Sequence, residues 1–268
     1  MNTKPFHHII SLIFLAIVLF TTGCEKSDPV TPDVLEIPEG SLTLLATYPL
    51  TVTEPSGLAF GPDNETLLTV SDNTNQVFEM SLTGEVIKTW DYQGNDLEGV
   101  TFNPNDRTIA ITEERERNVI ILSYDSGEEL GDYHINISMG SENSGLEGIA
   151  FNNNNRLYYI LNEANPGELI LWTPSGGILS ETMLTFAEDY SGIYVDHTAS
   201  TLWIVSDLSK YLYACNYKGD PQMKYPLTAS KFEGVVVDQS TQTLYMVNDA
   251  STKLTIYHIN TTKDGTGI

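Results

Sequence analysis

Three glutamates stand at one position of an internal repeat. Glu98, Glu147 and Glu233 each precede a glycine (Gly99, Gly148, Gly234), and the two other copies, at Gly57 and Gly192, carry Ser56 and Ser191 there. A second acid follows each glycine at a distance of 15 residues: Asp72, Glu114, Glu163, Asp207 and Asp249. Two carboxylates about 5 Å apart repel by roughly 3 kcal/mol at an effective dielectric near 20. Three or more around one opening must protonate or share a cation. Oxygen ligands without His or Cys point to a hard ion, and adaptable carboxylates suit Ca²⁺ better than the stricter Mg²⁺. The expectation is one Ca²⁺, bound by some of Glu98, Glu147 and Glu233 with Asp207, Asp249 or Glu163 assisting. The second acid recurs in every copy, so a structural use competes there, with the carboxylate accepting amides of the following turn. The position before the glycine breaks the repeat's symmetry, as a site on a symmetric scaffold does.

The elements that position these residues follow from the spacing. Successive glycines lie 42, 49, 44 and 42 residues apart. A period of about 40–50 residues with several short strands per copy indicates a β-propeller. The expected fold is all-β, a five-bladed propeller of four-stranded antiparallel blades over residues 41–268, with six blades the less favoured count. In the first copy the strands read as 57–60, 66–71, 76–81 and 85–92, separated by turn residues such as Gly61-Pro62-Asp63-Asn64. The second copy ends with an expected strand over 133–137. The fifth copy runs into a polar tail after Asn260, so Leu42–Leu50 is expected to supply its fourth strand and close the ring, leaving no blade with an open edge. In such a ring the first strand of each blade lines a central channel. The residue before each glycine and the acid 15 residues later then meet at one mouth.

The turns after the second strands add Asn73, Asn75, Arg115, Arg117, Asn165, Lys210 and Lys253 on the same side. A cation flanked by Arg and Lys could hold a phosphate or carboxylate; charge balance beside acids is the alternative use. The stretch Ser138 to Gly145, which accounts for the longest spacing, reads as a cover for a ligand or as an insertion. No Gly-x-Ser-x-Gly, His-Glu-x-x-His or glycine-rich phosphate loop occurs. With 36 acids against 13 bases and a net charge of −23, the chain repels nucleic acid.

The start of the chain reads as an export signal. Lys4 precedes a 12-residue run, Ile9 to Phe20, that is apolar apart from Ser11 and too short to span a bilayer. Thr21, Thr22 and Gly23 lead to Cys24, and the segment resembles a bacterial lipoprotein signal, with Thr21 where Leu is usual. Residues 1–23 are expected to be removed and Cys24 to carry lipid. Residues 24–40, with Pro29, Pro32 and Pro38, then form an extended tether. The other cysteine, Cys215, lies in an apolar strand pattern and is expected in the core without a disulfide.

The segments Leu97-Glu98-Gly99-Val100, Leu146-Glu147-Gly148-Ile149-Ala150-Phe151 and Phe232-Glu233-Gly234-Val235, with Thr112-Glu113-Glu114 and Asn162-Glu163, resemble the SdiA-regulated (YjiK-like) family over about residues 40–260. The resemblance implies a five-bladed propeller with a calcium site, often on exported or membrane-associated proteins, and no established activity. The Glu-Gly motif is more distantly similar to esterase-like phytases and to gluconolactonase-type and NHL propellers. Three readings stand. The first is a lipid-anchored, calcium-binding module, expected to be a monomer. The second is a Ca²⁺-dependent phosphoesterase or lactonase with Glu147 or Glu163 as base. The third is a protein-interaction platform of the cell envelope. The expected partners are the membrane through Cys24, and a small anionic ligand or an envelope protein.

Overall fold

The computed structural model describes Met1, residues 36–137 and residues 145–260. The expected signal segment, Cys24, most of the expected tether, residues 138–144 of the long loop and the tail from 261 lie outside the described residues. The chain divides into a unit ending at Glu36 and a compact unit, Ile37–Ile268. Among the described residues no helix is long and apolar enough to cross a membrane.

The compact unit opens with β1 (Ser41–Pro49). Blade 1 follows as β2 (Pro55–Phe60), β3 (Thr66–Ser71), β4 (Gln76–Ser81) and β5 (Val86–Thr89). Blade 2 is β6 (Leu97–Asn103), β7 (Thr108–Glu113), β8 (Asn118–Ser123) and β9 (Glu129–His134). Blade 3 is β10 (Leu146–Asn152), β11 (Leu157–Asn162), β12 (Glu168–Thr173) and β13 (Gly177–Met183). Blade 4 is β14 (Gly192–Asp196), β15 (Thr201–Ser206), β16 (Tyr211–Cys215) and β17 (Pro221–Pro226). Blade 5 has β18 (Phe232–Asp238), β19 (Thr243–Asn248) and β20 (Lys253–Asn260), and β1 is its fourth strand. The β1–β20 ladder is antiparallel, from Ser41 opposite Asn260 to Pro49 opposite Lys253. The fold is therefore a five-bladed propeller closed by its N-terminal strand, as the repeats predict. Just before β1, the backbones of Pro38 and Gly40 bond to Lys224 on β17, so the chain crosses the outer edge of blade 4 on its way to blade 5.

Burial follows the layering. The second strands are buried almost throughout, polar residues included, because each is covered on both faces by neighbouring blades; β7 is buried along its whole length. The outer strands alternate, with one face in solvent, as in β13. Among the described residues the core forms five clusters, one in each seam. Trp203, Tyr225, Phe232 and Tyr257 sit between blades 4 and 5, and Leu58, Phe60, Met80, Val236 and Val247 seal blade 5 against blade 1. Cys215 is buried in the seam between blades 3 and 4, as expected. One strand is displaced from its expected place. The outer strand of blade 2 is β9, and Ile135 and Ile137 follow it as buried residues of the seam to blade 3. Their apolar character serves packing between blades, which periodicity alone cannot tell from a ladder.

Candidate functional site at the channel mouth

The repeat glycines form the waist of the channel. A Cβ on Gly57 would lie 2.6 Å from the Glu98 carbonyl oxygen of the next blade, and one on Gly99 would lie 3.0 Å from that of Glu147. Gly192 likewise abuts the Glu233 carbonyl, and Gly234 returns to Gly57, so the contacts run round the ring. Gly57 also has φ +53, where a side chain is strained.

Above the waist, the residue before three of the five glycines is turned by a β-bulge. The register shifts between Leu97 and Gly99, between Leu146 and Gly148, and between Phe232 and Gly234, so Glu98, Glu147 and Glu233 are the extra residues. A bulge re-aims a side chain out of strand alternation, and here it delivers all three glutamates to one cavity of about 200 Å³. Glu163, Asp207 and Asp249 line the same cavity, as do Asp72, Ser56 and Ser191. All six expected metal-site residues are thus gathered. The serines have other work. Ser56 Oγ donates to Glu98 Oε2 at 2.6 Å, and Ser191 Oγ donates to the Phe232 carbonyl at 3.2 Å.

A third repeat position, three residues before the glycine, was not anticipated: Glu54, Asp96, Gly145, Asp189 and Lys231. Its carbonyl accepts the amide of the end-of-strand acid in four blades, at 3.2 Å for Glu54–Asp72, 2.9 Å for Asp96–Glu114, 3.1 Å for Gly145–Glu163 and 2.9 Å for Lys231–Asp249. Those bonds draw the two ends of each hairpin together at the mouth. Glu54, Asp189 and Lys231 also line the cavity. Counting back three residues from each glycine finds this position in the sequence.

Two of the end-of-strand acids, Glu114 and Asp207, accept amides, from the loop leading into the next blade and not from the following turn. Gly145 N donates to Glu114 Oε1 at 3.2 Å, and Lys231 N donates to Asp207 Oδ1. These contacts tie blade 2 to blade 3 and blade 4 to blade 5. Asp189 is also engaged, accepting from Ser206 Oγ and from the Leu208 amide.

Charge divides the mouth in two. On the side of blades 1–3, carboxylate oxygens of Asp72, Asp96 and Glu98 lie within 4.8 Å of one another, and so do those of Glu114, Glu147 and Glu163. Burial, then the charges of Glu98, Glu114, Glu163 and Glu233, hold the Glu147 carboxyl well above the usual range. Burial raises Glu98 as well, with the Ser56 bond opposing and Asp72, Glu233 and Glu114 adding to it. Burial, then Asp96, pushes Glu114 up to about 7. On the side of blades 4 and 5, Lys231 Nζ sits 3.6 Å from Glu233 Oε1 and 3.9 Å from Asp207 Oδ2. Burial still pushes Glu233 up to about 7, against the pull of Lys231.

The turns after the second strands contribute less than their composition suggests. None of Asn73, Asn75, Arg115, Arg117, Asn165, Lys210 and Lys253 lines the cavity. Asn75, Arg117, Asn165 and Lys210 have φ of 53, 54, 56 and 56°, the left-handed backbone of tight turns. Arg115 is exposed, with Nε 3.2 Å from Asp96 Oδ2.

Below the waist the channel changes character. Phe60, Phe102 and Phe151, near the far ends of β2, β6 and β10, and Tyr194, midway along β14, wall a cavity of about 130 Å³. Beside them, Asn103, Asn152, Asp196 and Asp238 end strands β6, β10, β14 and β18.

Comparison with known proteins agrees with this architecture. No curated protein sequence matches the chain. The crystal structure of Myxococcus xanthus glutaminyl cyclase is similar at a TM-score of 0.66, covering 85% of this chain and 100% of that one, with 12% identity. At that identity the likeness concerns the fold. The model of the SdiA-regulated family matches residues 45–256. The chain belongs to the SdiA-regulated family.

Proposed function

We propose that this propeller is a calcium-binding module of the cell envelope, exported and lipid-anchored through Cys24, with no catalysis of its own. One observation carries the metal: two trios of carboxylates whose oxygens approach within 4.8 Å. Two oxygens on one Ca²⁺, each at about 2.4 Å, can be at most about 5 Å apart. The donors are all oxygen, drawn from two adjacent blades in each trio, and adjustable, which fits Ca²⁺ in preference to Zn²⁺ or a thiophilic metal. Glu114, Glu147 and Glu163 would hold the ion, with Glu98 adjoining. Of the expected ligands, Glu233, Asp207 and Asp249 fall on the Lys231 side. The raised carboxyls support the same reading, since groups that resist ionising alone ionise readily beside a divalent cation. Export and anchoring rest on Lys4, the run Ile9 to Phe20, and Cys24.

A metal-dependent hydrolase of a phosphoester or lactone is the second reading. Glu233 favours it: it lies outside the metal trio, and its carboxyl, pushed up to about 7, is matched to general-base work at neutral pH. Calorimetry of chelator-treated protein with Ca²⁺, beside Glu98→Gln and Glu147→Gln, tests the first reading. We expect saturable binding in the wild type and at least a hundredfold weaker binding in Glu147→Gln. No binding in the wild type would remove the metal and leave the interaction platform as the better account. Phosphoester or lactone turnover that needs Ca²⁺ would establish the hydrolase.

A further inference from the structure

We propose that Lys231 is the resident cation of the blade 4–5 half of the mouth. Its ammonium occupies a carboxylate site that would otherwise take a divalent ion, and on the reading above it confines the metal to the opposite half. Position supports this first. Of the five residues three before a repeat glycine, three are acids and one is glycine; only blade 5 places a base there.

The backbone fixes where that base stands. The Lys231 amide donates to Asp207 Oδ1 of blade 4, and its carbonyl accepts the Asp249 amide at 2.9 Å. With φ at 65°, the residue is pinned between two acids of neighbouring blades. The side chain then returns over the same pair of blades, its Nζ 3.9 Å from Asp207 Oδ2 and 3.6 Å from Glu233 Oε1. Those separations suit a charge shared between two carboxylates more than a single directed hydrogen bond. Asp207 and Glu233 are buried, whereas the Lys231 side chain is 52% exposed. The flexible partner has come to the fixed ones.

Without Lys231 this half would present Asp207, Glu233 and Asp249 with no base. Three carboxylates also make up the Glu114, Glu147 and Glu163 trio, whose oxygens already lie within 4.8 Å of one another. A lysine meets the same electrostatic need as a metal ion, with no dependence on the supply of ions outside.

Ca²⁺ binding is counted by calorimetry on the whole chelator-treated protein, as wild type, Lys231→Gln, Lys231→Arg and the double variant Lys231→Gln with Glu233→Gln. We expect Lys231→Gln to bind one more Ca²⁺ per chain than wild type. Lys231→Arg should keep the wild-type count, and the double variant should return to it. An unchanged count in Lys231→Gln overturns the assignment. The result is the difference between variant and wild type. A wild type that binds nothing would therefore defeat the proposed function, while the gain of a site in Lys231→Gln would still decide this inference. If Lys231→Gln does not fold, acetylation of folded wild type, mapped to Lys231 by mass spectrometry, removes the same charge. An unchanged count after that modification is equally fatal to the assignment.

Discussion

The two ends of the channel are built by the same strands from the same kinds of side chain, and they use them in opposite ways. At the base, Asn103, Asn152, Asp196 and Asp238 each accept the amide two residues on, at 3.0, 2.9, 2.9 and 2.9 Å. These are turn caps, local to one blade. Hydrogen bonds from Ser240, then Thr241, hold the Asp238 carboxyl below its ordinary value. At the mouth, burial and neighbouring acids hold Glu98 and Glu147 above theirs. A repeated acid whose oxygens are already committed to its own turn stabilises the chain. A repeated acid opposed by its neighbours stores repulsion until a cation or proton arrives. Recurrence in every blade does not separate the two; the partners of each oxygen do.

The comparison can be broken outright at the waist, which both ends share. Gly57→Ala would place a Cβ 2.6 Å from the Glu98 carbonyl on a backbone at φ +53. We expect it to destabilise the domain by about 2–4 kcal/mol, measured by urea unfolding, and to weaken both ends together. Wild-type stability would refute the close packing of the glycines. The next effect in size separates the ends by pH. The folded carboxyls of Glu114 and Glu233 are pushed up to about 7, against about 4.3 for an unfolded glutamate. Between those values the folded protein holds protons that the unfolded chain has released, so stability falls as pH rises. Asp238 acts the other way, its contribution lost as pH drops below the unfolded aspartate value near 3.9. The melting temperature of metal-free protein should therefore fall from pH 5 to pH 8. Added Ca²⁺ should flatten that slope, and Glu147→Gln should raise the metal-free value at pH 8. A flat metal-free profile would show that the mouth stores no repulsion. The smallest effect sharpens the contrast from the base. Asn103→Ala removes one turn cap together with the bond that Asn103 Nδ2 donates to the Tyr158 hydroxyl of blade 3 at 3.2 Å, and should cost about 1–2 kcal/mol, with Ca²⁺ affinity unchanged by calorimetry; weaker Ca²⁺ binding there would mean that the ends are coupled.

The fold was legible because its cause repeats. One glycine at the waist, a short apolar run and a strand-end acid, five times over, define blade number and the facing of each strand. The closure by β1 was legible too, because blade 5 runs out of strand while Leu42–Leu50 has none to pair with. Of the site, Glu98, Glu147 and Glu233 announced themselves by breaking the repeat. Lys231 breaks it as well, two residues earlier, but a lone base beside acids reads equally as ordinary charge balance. The bulges could not be read, since Glu-Gly is compatible with a regular strand. The partition of the mouth was hidden for a different reason. It depends on where one lysine side chain folds back, and no spacing encodes a rotamer.

The ladder between β1 and β20 has a consequence for the order of events in making this protein. It pairs Ser41 with Asn260, the first and last strand residues of the ring. A chain emerging from its N-terminus can form hairpins of blades 1 to 4 as they appear, but β1 must wait, unpaired, for a partner made more than two hundred residues later. Lys231, Glu233 and Asp249 arrive with that same final blade. The cavity that gathers the acids is thus assembled only once blade 5 has been made, and a chain truncated before that blade carries Glu98 and Glu147 without the chamber.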